Sequence, residues 1–337
     1  MASARRTGTN ENISTYGASG MGRDYTALGT WEADTDNDLV TAMTSEVLEC
    51  YDDEVFDDTI TVAGATTDSS YFRIIRPASG EEHDGTPNTG VRFASTTTTT
   101  LFTLNEDFFN LQDISIDLNL NSASNGRGVV LSPNTDEMNV VGVFTKVVNA
   151  GAGNGWGFVI NSISSAALVD CIVYECDDIG FFGNTGSDSM IYNCTADACG
   201  IGIFGDAGAT TTVINTRGTN STSADFSGTF EMASDYNLSE DGSAPGGNSI
   251  ASATTVSYVD ADNDDYHITS TDDGFQAGID LSADSGFPFN DDIDFETIIV
   301  WSIGADAQVA AGPTPGHSYQ HQYLDLGNIG FTRSWSN

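Results

Sequence analysis

The segment Ile179-Gly-Phe-Phe-Gly183 is one of four versions of a single short apolar strand; the others are Arg127-Gly-Val-Val-Leu131, Trp156-Gly-Phe-Val-Ile160 and Ile201-Gly-Ile-Phe-Gly205. Their glycines, at positions 128, 157, 180 and 202, are 29, 23 and 22 residues apart. A period of this length, built from short strands with turns between them, is typical of one coil of a solenoid. The repeat therefore predicts stacked coils in which Gly157, Gly180 and Gly202 lie along a common line.

The cysteines keep the same period. Cys171 and Cys194 are 23 residues apart, and so are Cys176 and Cys199. Because coils stack about 4.8 Å apart, like residues should lie on like residues. These cysteines are expected in two ladders, as small buried hydrophobic side chains. Disulfides between adjacent coils remain an alternative, since that spacing lies within the Cα range a disulfide needs.

Other repeat and all-β architectures fit less well. The L-x-x-L-x-L pattern of leucine-rich repeats and the nonapeptide repeats that bind calcium are both missing from the sequence. A β-sandwich would place alternating strands every 8–12 residues, without this register. We therefore predict an all-β protein, a parallel β-helix with an N-terminal capping segment and a C-terminal extension.

The N-terminal part divides into two expected regions. Residues 1–22 are polar and rich in Gly, Ser and Thr, which predicts a flexible arm. Within it Arg5 and Arg6 form a basic pair that could dock on a partner. Residues 23–95 are expected to form an N-terminal cap and the first coils, with Leu28 and Trp31 facing inward from a short helix.

Two further regions complete the chain. Residues 96–310 are expected to form the parallel β-helix with its closing strands. Residues 311–337 follow a Gly/Pro break and form a C-terminal extension. That extension carries many apolar side chains, which should pack on the solenoid or on a neighbouring subunit. Its candidate docking residues are Tyr319, Tyr323, Phe331 and Trp335.

Charge is the most unusual property of the composition. Forty-nine acidic residues oppose ten basic ones, a net charge of −39. Such a surface repels nucleic acid and anionic membranes, because it offers few cations to replace the counterions of phosphates. The acidity fits either a salty, halophilic setting, where charges are screened, or divalent cations that bridge carboxylates. The sequence from Met1 shows no signal peptide and no membrane-spanning run of apolar residues, which favours release by another route, such as inside a virus particle.

Several segments resemble the right-handed parallel β-helix proteins of tailed phages and other viruses, within the pectate-lyase-like superfamily. In residues 23–92 the resemblance rests on Val47-Leu-Glu-Cys-Tyr-Asp52 and His83-Asp-Gly-Thr-Pro87. Near the C-terminus it rests on Ala277-Gly-Ile-Asp-Leu281 and on Trp301-Ser-Ile-Gly-Ala-Asp306. The terminal element departs from the family pattern where this chain has Phe295, Ile298, Ser302 and Ala307. The resemblance implies a right-handed solenoid, a fold that hosts lyases, hydrolases, adhesins and inert spikes alike. Within it this chain is expected to be a non-catalytic member.

Candidates for chemistry are few. Asp177 and Asp178 adjoin a strand, and stacked carboxylates about 5–5.5 Å apart could serve as acid and nucleophile in glycoside hydrolysis. A solvated acidic turn is the simpler interpretation in a chain with 49 acids. A Gly-His-Gly motif is missing, and the coils offer few basic residues to take a proton in a lyase reaction. The sequence therefore favours a protein without catalytic activity.

Two aspartate triplets have the 1-3-5 spacing of a calcium loop. They are Asp34, Asp36 and Asp38, and Asp260, Asp262 and Asp264. Both lack the glycine at the sixth position, where Leu39 and Asp265 stand, and both lack glutamate at the twelfth. Calcium is thus the one cofactor that the sequence suggests, with ordinary acidic turns as the alternative.

The leading functional hypothesis is a structural virion component on the particle surface, a tail fibre, spike or capsid decoration in an extracellular setting. Its long side could bind host-surface carbohydrate. The expected partners are other virion proteins, reached through either terminal segment, and further copies of the chain, for example in a trimer. Two alternatives are a tailspike-like depolymerase that degrades polysaccharide and a secreted cell-surface adhesin.

Overall fold

Short β-branched and aromatic runs, separated by glycine, asparagine and aspartate, form almost all of the regular structure. The computed structural model describes residues 5–132, 138–161, 165–284 and 287–307. Two short helices, α1 (Leu28–Thr35) and α2 (Leu39–Ala42), lie near the N-terminus. A single turn of 3-10 helix spans Ala261–Asn263.

The strands of the first coils are β1 (Glu11–Tyr16), β2 (Ser45–Cys50), β3 (Ile60–Val62), β4 (Arg73–Pro77), β5 (Arg92–Ser95), β6 (Thr100–Leu104), β7 (Asn110–Gln112), β8 (Ser115–Leu120) and β9 (Gly126–Leu131). Those of the later coils are β10 (Met138–Val141), β11 (Phe144–Asn149), β12 (Gly155–Ile160), β13 (Ala166–Val169), β14 (Ile172–Tyr174), β15 (Ile179–Gly183), β16 (Asp188–Tyr192), β17 (Thr195–Asp197), β18 (Ile201–Gly205), β19 (Thr210–Ile214), β20 (Arg217–Thr219) and β21 (Ala224–Gly228). A hairpin follows, made of β22 (Tyr258–Asp260) and β23 (Asp265–Ile268).

These strands build a parallel β solenoid with three long sheets. The eight-stranded sheet has the order β1-β2-β4-β7-β10-β13-β16-β19. The six-stranded sheet runs β20-β17-β14-β11-β8-β5, and the seven-stranded sheet runs β21-β18-β15-β12-β9-β6-β3. In each later coil the chain passes through the eight-, six- and seven-stranded sheets in turn, as β13, β14 and β15 do. The prediction of a parallel solenoid is confirmed.

The glycine repeat sets the register of the seven-stranded sheet. Phe158 pairs with Phe181, and Phe181 with Ile203, so Gly157, Gly180 and Gly202 lie in line as predicted. A Cβ atom added at Gly157 would lie 2.7 Å from the carbonyl oxygen of Gly180 and 2.7 Å from a methyl group of Val173. Each glycine thus lets one coil approach the next near the corner where the chain has just left the six-stranded sheet, and no side chain fits there.

Rows of apolar side chains from all three sheets fill the interior. The rings of Phe158 and Phe181 stack with centroids 5.4 Å apart, and Leu168 and Ile191 approach from the eight-stranded sheet. Burial of each such side chain contributes about 1.5–3 kcal/mol. The five cysteines are buried free thiols in the same core. The predicted interpretation of the cysteine ladders as small buried side chains is the one that the structure shows.

A row of left-handed residues marks the corner between the eight-stranded and six-stranded sheets. We call it the turn ladder; its members are Asp113, Gly142, Asp170, Asn193 and Asn215. Their φ angles lie between 51° and 64°. Asp and Asn tolerate this conformation better than other residues with side chains, and glycine adopts it freely, which explains the residue types of the ladder.

The N-terminal region differs from the expected flexible arm. Residues 11–16 form β1, which pairs in parallel with β2 from Glu11–Ser45 to Tyr16–Cys50. The polar sequence is compatible with a strand because β1 ends the sheet, where half of its surface remains in water. Leu28 and Trp31 of α1 and Leu39 of α2 are buried, as expected, and the first two join the solenoid core.

In the last described part of the chain, residues 258–307 do not continue the stack as further coils. We call this part the closing segment. Its hairpin is antiparallel, and its apolar residues cover the outer faces of two sheets. Phe289 and Trp301 pack on Val141 and Val169 of the eight-stranded sheet. Tyr266 and Ile293 pack in the same way on Phe144, Ile172 and Tyr174 of the six-stranded sheet.

Candidate functional site

The outer face of the seven-stranded sheet carries a row of aromatic side chains. Side chains alternate along a strand, so Phe181 points inward while Phe182 points outward. Trp156, Phe182 and Phe204, on three successive coils, are all partly exposed. Ring centroids are 5.9 Å apart for Trp156 and Phe182 and 5.5 Å apart for Phe182 and Phe204. We call these three residues the aromatic row.

Polar neighbours fix the first ring of the aromatic row. The indole Nε1 of Trp156 donates a 2.7 Å hydrogen bond to Oδ2 of Asp178. The guanidinium of Arg127 lies 5.0 Å from the centroid of the indole ring, within the range of a cation–π interaction. The indole is therefore held by contacts on two sides, and it keeps one orientation toward solvent.

The aspartates considered for catalysis have structural partners. Asp178 accepts the indole hydrogen bond, and the carboxylate of Asp177 accepts a hydrogen bond from the backbone N–H of Asn149 in the preceding coil. These contacts join adjacent coils, as the hydrogen bonds of the strands do. The sequence could not reveal this use, because the donors lie 22 and 28 residues away.

Neither aspartate triplet is gathered into a calcium loop. Asp38 caps α2 by accepting hydrogen bonds from the backbone N–H and the hydroxyl of Thr41, and Asp34 accepts one from the hydroxyl of Tyr25. Asp260 accepts a 2.7 Å hydrogen bond from Asn263. Among the described residues, no group of three or more His, Cys, Asp and Glu side chains is arranged to hold a metal ion. The 1-3-5 spacing arises here from helix caps and turns, which also favour aspartate.

The sequence suggested an exposed docking residue at position 5. In the structure, Arg5 is instead the centre of a buried charge cluster. Its Nε donates to Asp113 at 2.8 Å, and its Nη1 donates to Asp291 at 3.0 Å. Asp170 lies 4.0 Å from the same Nη1. The guanidinium also lies 4.3 Å from the centroid of the Phe295 ring. Only 12% of the Arg5 side chain is exposed, since four oppositely charged or aromatic groups surround it.

Arg6 likewise has partners within the chain. Its guanidinium lies 5.1 Å from the centroid of the Phe72 ring and donates to the carbonyl of Ser69. The other candidate docking residues, Tyr319, Tyr323, Phe331 and Trp335, lie outside the described residues. Both arginines therefore tie the N-terminal residues to their own solenoid.

Burial changes the ionisation of groups around Arg5. It raises the pKa of Asp113 to about 7, against the opposing effect of the Arg5 charge, and it raises the pKa of Asp170 well above its ordinary value. Burial also lowers the pKa of His83 to about 4. The neutral His83 ring lies with Nε2 2.8 Å from the carbonyl oxygen of Gly142, to which it donates. The cluster thus combines one permanent cation with carboxyl groups that ionise reluctantly.

A second histidine lies between two carboxylates in the closing segment. Nδ1 of His267 contacts Asp265, and Nε2 lies 2.9 Å from Asp294. Burial lowers the pKa of His267, but the hydrogen bond and charge of Asp294 outweigh that effect and raise it to about 10. The imidazolium therefore joins the hairpin to the terminal element as a charged bridge.

Compared with protein-family models, with curated proteins and with solved structures, the chain matches none of them. In the part of the chain that the structure describes, no helix has the length and hydropathy needed to cross a bilayer. The resemblance to phage β-helix proteins remains a prediction from sequence, and a solenoid fold by itself does not define a function.

Proposed function

We propose that the chain is a rigid structural component displayed on a virus particle, and that its aromatic row binds a neutral or cationic host-surface glycan. The observation that carries the proposal is the repeat of a partly exposed ring at each of three coils, at centroid spacings of 5.9 and 5.5 Å. Aromatic faces offer flat apolar area at little cost in conformational entropy. A solenoid presents such groups along an extended surface suited to a polymer.

The position of the aromatic row supports this use. The closing segment covers the outer faces of the eight-stranded and six-stranded sheets with its own apolar residues. No described residue of the closing segment belongs to a core cluster on the outer face of the seven-stranded sheet. Among the described residues, the closing segment therefore leaves this face open to a long ligand.

Charge selects the class of glycan. A net charge of −39 repels uronic acids, sulfated sugars and phosphates. The acidic Asp178 lies beside Trp156, and the next carboxylate along the chain is the exposed Asp177. Both could accept hydrogen bonds from hydroxyl or ammonium groups of a bound sugar. A neutral polysaccharide or one that carries free amino groups is the ligand that fits.

The finer features of the architecture belong to the same proposal. We infer a right-handed solenoid, because the parallel crossovers of L-amino-acid chains have this hand in nearly all cases. We assign α1 the role of an N-terminal cap, since Trp31 covers the core beside β3. Residues 311–337 would then contact other virion proteins or further copies of the chain.

Glycan binding is tested with purified protein on an array of neutral, amino and acidic polysaccharides. We expect binding to neutral or amino glycans, weakened at least tenfold in a Trp156→Ala/Phe182→Ala variant. The matched control is Tyr51→Ala, which removes a partly exposed aromatic residue elsewhere on the surface. Undiminished binding by the double variant, or binding to acidic glycans alone, would contradict the proposal.

The place on a virus particle needs a separate experiment. Particles produced from a genome that carries the gene are purified and analysed by mass spectrometry. The protein should be present at a fixed ratio to the major capsid protein and should be cross-linked to other particle proteins. Its absence from intact particles would end the virion proposal while leaving glycan binding to be judged on the array.

A further inference from the structure

The Arg5 cluster joins three parts of the chain that are far apart in sequence. Asp113 and Asp170 belong to the turn ladder, and Asp291 belongs to the closing segment. Nη2 of Arg5 also donates to the backbone carbonyl of Asp292 at 3.2 Å. One guanidinium from the first described residue therefore holds the closing segment against the corner of the solenoid.

We propose that Arg5 and its carboxylates form a proton-linked clasp, which holds the closing segment when one carboxyl group of the cluster is protonated and loosens when all are ionised. One guanidinium faces three carboxyl groups at distances of 2.8, 3.0 and 4.0 Å. If all three were ionised, their negative charge would exceed the charge of Arg5 by two, and an excess of charge at a site with little access to water is costly.

Asp170 is the group best placed to hold the proton. The residue is fully buried, and Oδ1 accepts a 2.7 Å hydrogen bond from Asn193. Oδ2 has no hydrogen-bond partner among the described residues, although it is the oxygen nearest to Arg5. Protonation of Asp170 therefore neutralises the carboxylate that its surroundings stabilise least.

Among the described residues, Arg5 is the one cation that acts on this group. The loop beside the ladder contributes Glu82 and His83, and burial keeps His83 neutral above a pKa of about 4. The only charged His of the closing segment, His267, is already paired with Asp265 and Asp294. The titratable and charged groups that face the cluster from all packed elements are Arg5, Glu82, His83, Asp113, Asp170, Asp291, Asp292, Asp294 and Asp306.

The sign of the pH dependence follows from the direction of these shifts. The pKa of Asp113 is raised by burial to about 7, and those of Asp170 and Asp292 are raised as well, from an ordinary value of about 3.9. A group whose pKa is higher in the folded state than in the unfolded state stabilises the fold. This stabilisation is complete at pH values below the pKa of the unfolded state, and it is lost as pH rises through the pKa of the folded state. The clasp should therefore hold in mild acid and loosen above neutral pH.

The turn ladder itself provides the variant that tests the charge alone. Asn193 and Asn215 occupy the same corner in the next two coils, with φ angles of 54° and 52° against 51° for Asp170. Asparagine therefore fits the backbone at this position. Asn215 also holds the closing segment, through hydrogen bonds of 2.8 Å to the backbone N–H and carbonyl of Ile279. Asp170→Asn removes a charge and leaves the geometry of the ladder in place.

The experiment is hydrogen exchange measured by mass spectrometry on peptides from residues 287–307, between pH 5 and 9, with correction for intrinsic exchange. In the wild-type protein we expect protection to fall at least tenfold across this range. Asp170→Asn should reduce that fall to less than threefold. Arg5→Ala should show low protection at every pH, while Arg6→Ala, which removes a neighbouring arginine with other partners, should behave as wild type.

A wild-type protection that stays constant from pH 5 to 9 would overturn the clasp, and so would an unchanged pH dependence in Asp170→Asn. If Arg5→Ala does not fold, Arg5→Lys keeps the charge but loses the forked hydrogen bonds. It should then show protection between wild type and none at pH 6. Protection equal to wild type in Arg5→Lys at every pH would contradict the role of the guanidinium geometry.

Discussion

The stacked glycines make a quantitative prediction about Gly180→Ala. A Cβ atom at this position would lie 2.5 Å from the carbonyl oxygen of Gly202, 3.2 Å from Sγ of Cys199 and 3.4 Å from a methyl group of Val173. The closest of these is a backbone atom of the next coil, and normal C···O contacts begin at about 3.3 Å. The two coils would therefore have to separate locally by several tenths of an ångström.

The expected cost follows from two opposing effects. Overpacking of a core costs about 1–3 kcal/mol, and a backbone clash places this site at the upper end. The loss of unfolded-state entropy on Gly→Ala stabilises by about 0.4–1 kcal/mol. The net destabilisation should be about 2 kcal/mol. Gly29→Ala is the matched control, because Gly29 lies on an exposed turn of α1 with nothing within 4 Å of its Cβ direction, and it should stabilise by up to about 1 kcal/mol.

Urea unfolding followed by circular dichroism measures the difference. The midpoint of Gly180→Ala should lie below that of wild type, and the midpoint of Gly29→Ala should lie at or above it. If Gly180→Ala unfolded at the same urea concentration as Gly29→Ala, the coils could not be packed as closely as the glycine row requires, and the reasoning would fail.

Three further predictions concern buried charges and thiols. Arg217 is fully buried and forms a two-pronged ion pair with Asp272 at 3.2 and 2.8 Å, so Arg217→Ala should cost about 3–5 kcal/mol in thermal or urea unfolding, and a loss below 1 kcal/mol would contradict the pairing. The pKa of His267 is raised to about 10 by Asp294, despite burial, so its stabilising effect is complete below about pH 6.5 and is lost as pH rises through about 10. His267→Asn should therefore flatten the decline in stability between pH 8 and 10, and an unchanged decline would count against it. The five cysteines are buried free thiols, so a thiol reagent should label none in the native protein and five after unfolding, whereas fewer than five would indicate disulfides.

The solenoid could be predicted from sequence because its cause is local and repeated. Each coil brings its own glycine, such as Gly157 or Gly180, at a nearly constant interval, and the physical requirement for close approach is the same each time. The cysteine ladder is predictable for the same reason. Because the coils stack in parallel, residues one period apart in sequence become neighbours in space. No long-range information is needed to predict this register.

The terminal segments could not be predicted in this way. β1 has a polar sequence, and its partner begins about 30 residues later, so nothing near Glu11–Tyr16 indicates a strand. The sequence contains one signal for the closing segment. The strands that it covers, among them β13 (Ala166–Val169) and β14 (Ile172–Tyr174), are continuous apolar runs. Strands with apolar residues on both faces are buried on both faces, and this pattern predicts a cover over the outer surface.

The candidate site also contains features that could be predicted from sequence and features that could not. Two members of the aromatic row follow from alternation in the repeat, since Phe182 and Phe204 come directly after inward-facing residues of known register. Trp156 pairs with Ile179 and stands three positions earlier in the strand register. The Arg5 cluster depends on contacts across 108 and 286 residues. No local pattern marks Arg5 as buried, and an isolated basic pair in a polar terminus is more often exposed.

The two anchors of the closing segment lie at different heights on the turn ladder. Asn215 holds Ile279 at one height. Arg5, which reaches from Asp113 to Asp170, holds Asp291 two to four coils away. At about 4.8 Å per coil the anchors are about 10–19 Å apart along the axis. Insertion or loss of one coil between the two anchors would move one of them by about 4.8 Å along the axis. The closing segment therefore fits a solenoid with this number of coils between its anchors. A lineage that lengthens or shortens the rod must therefore remodel residues 279–291 at the same time.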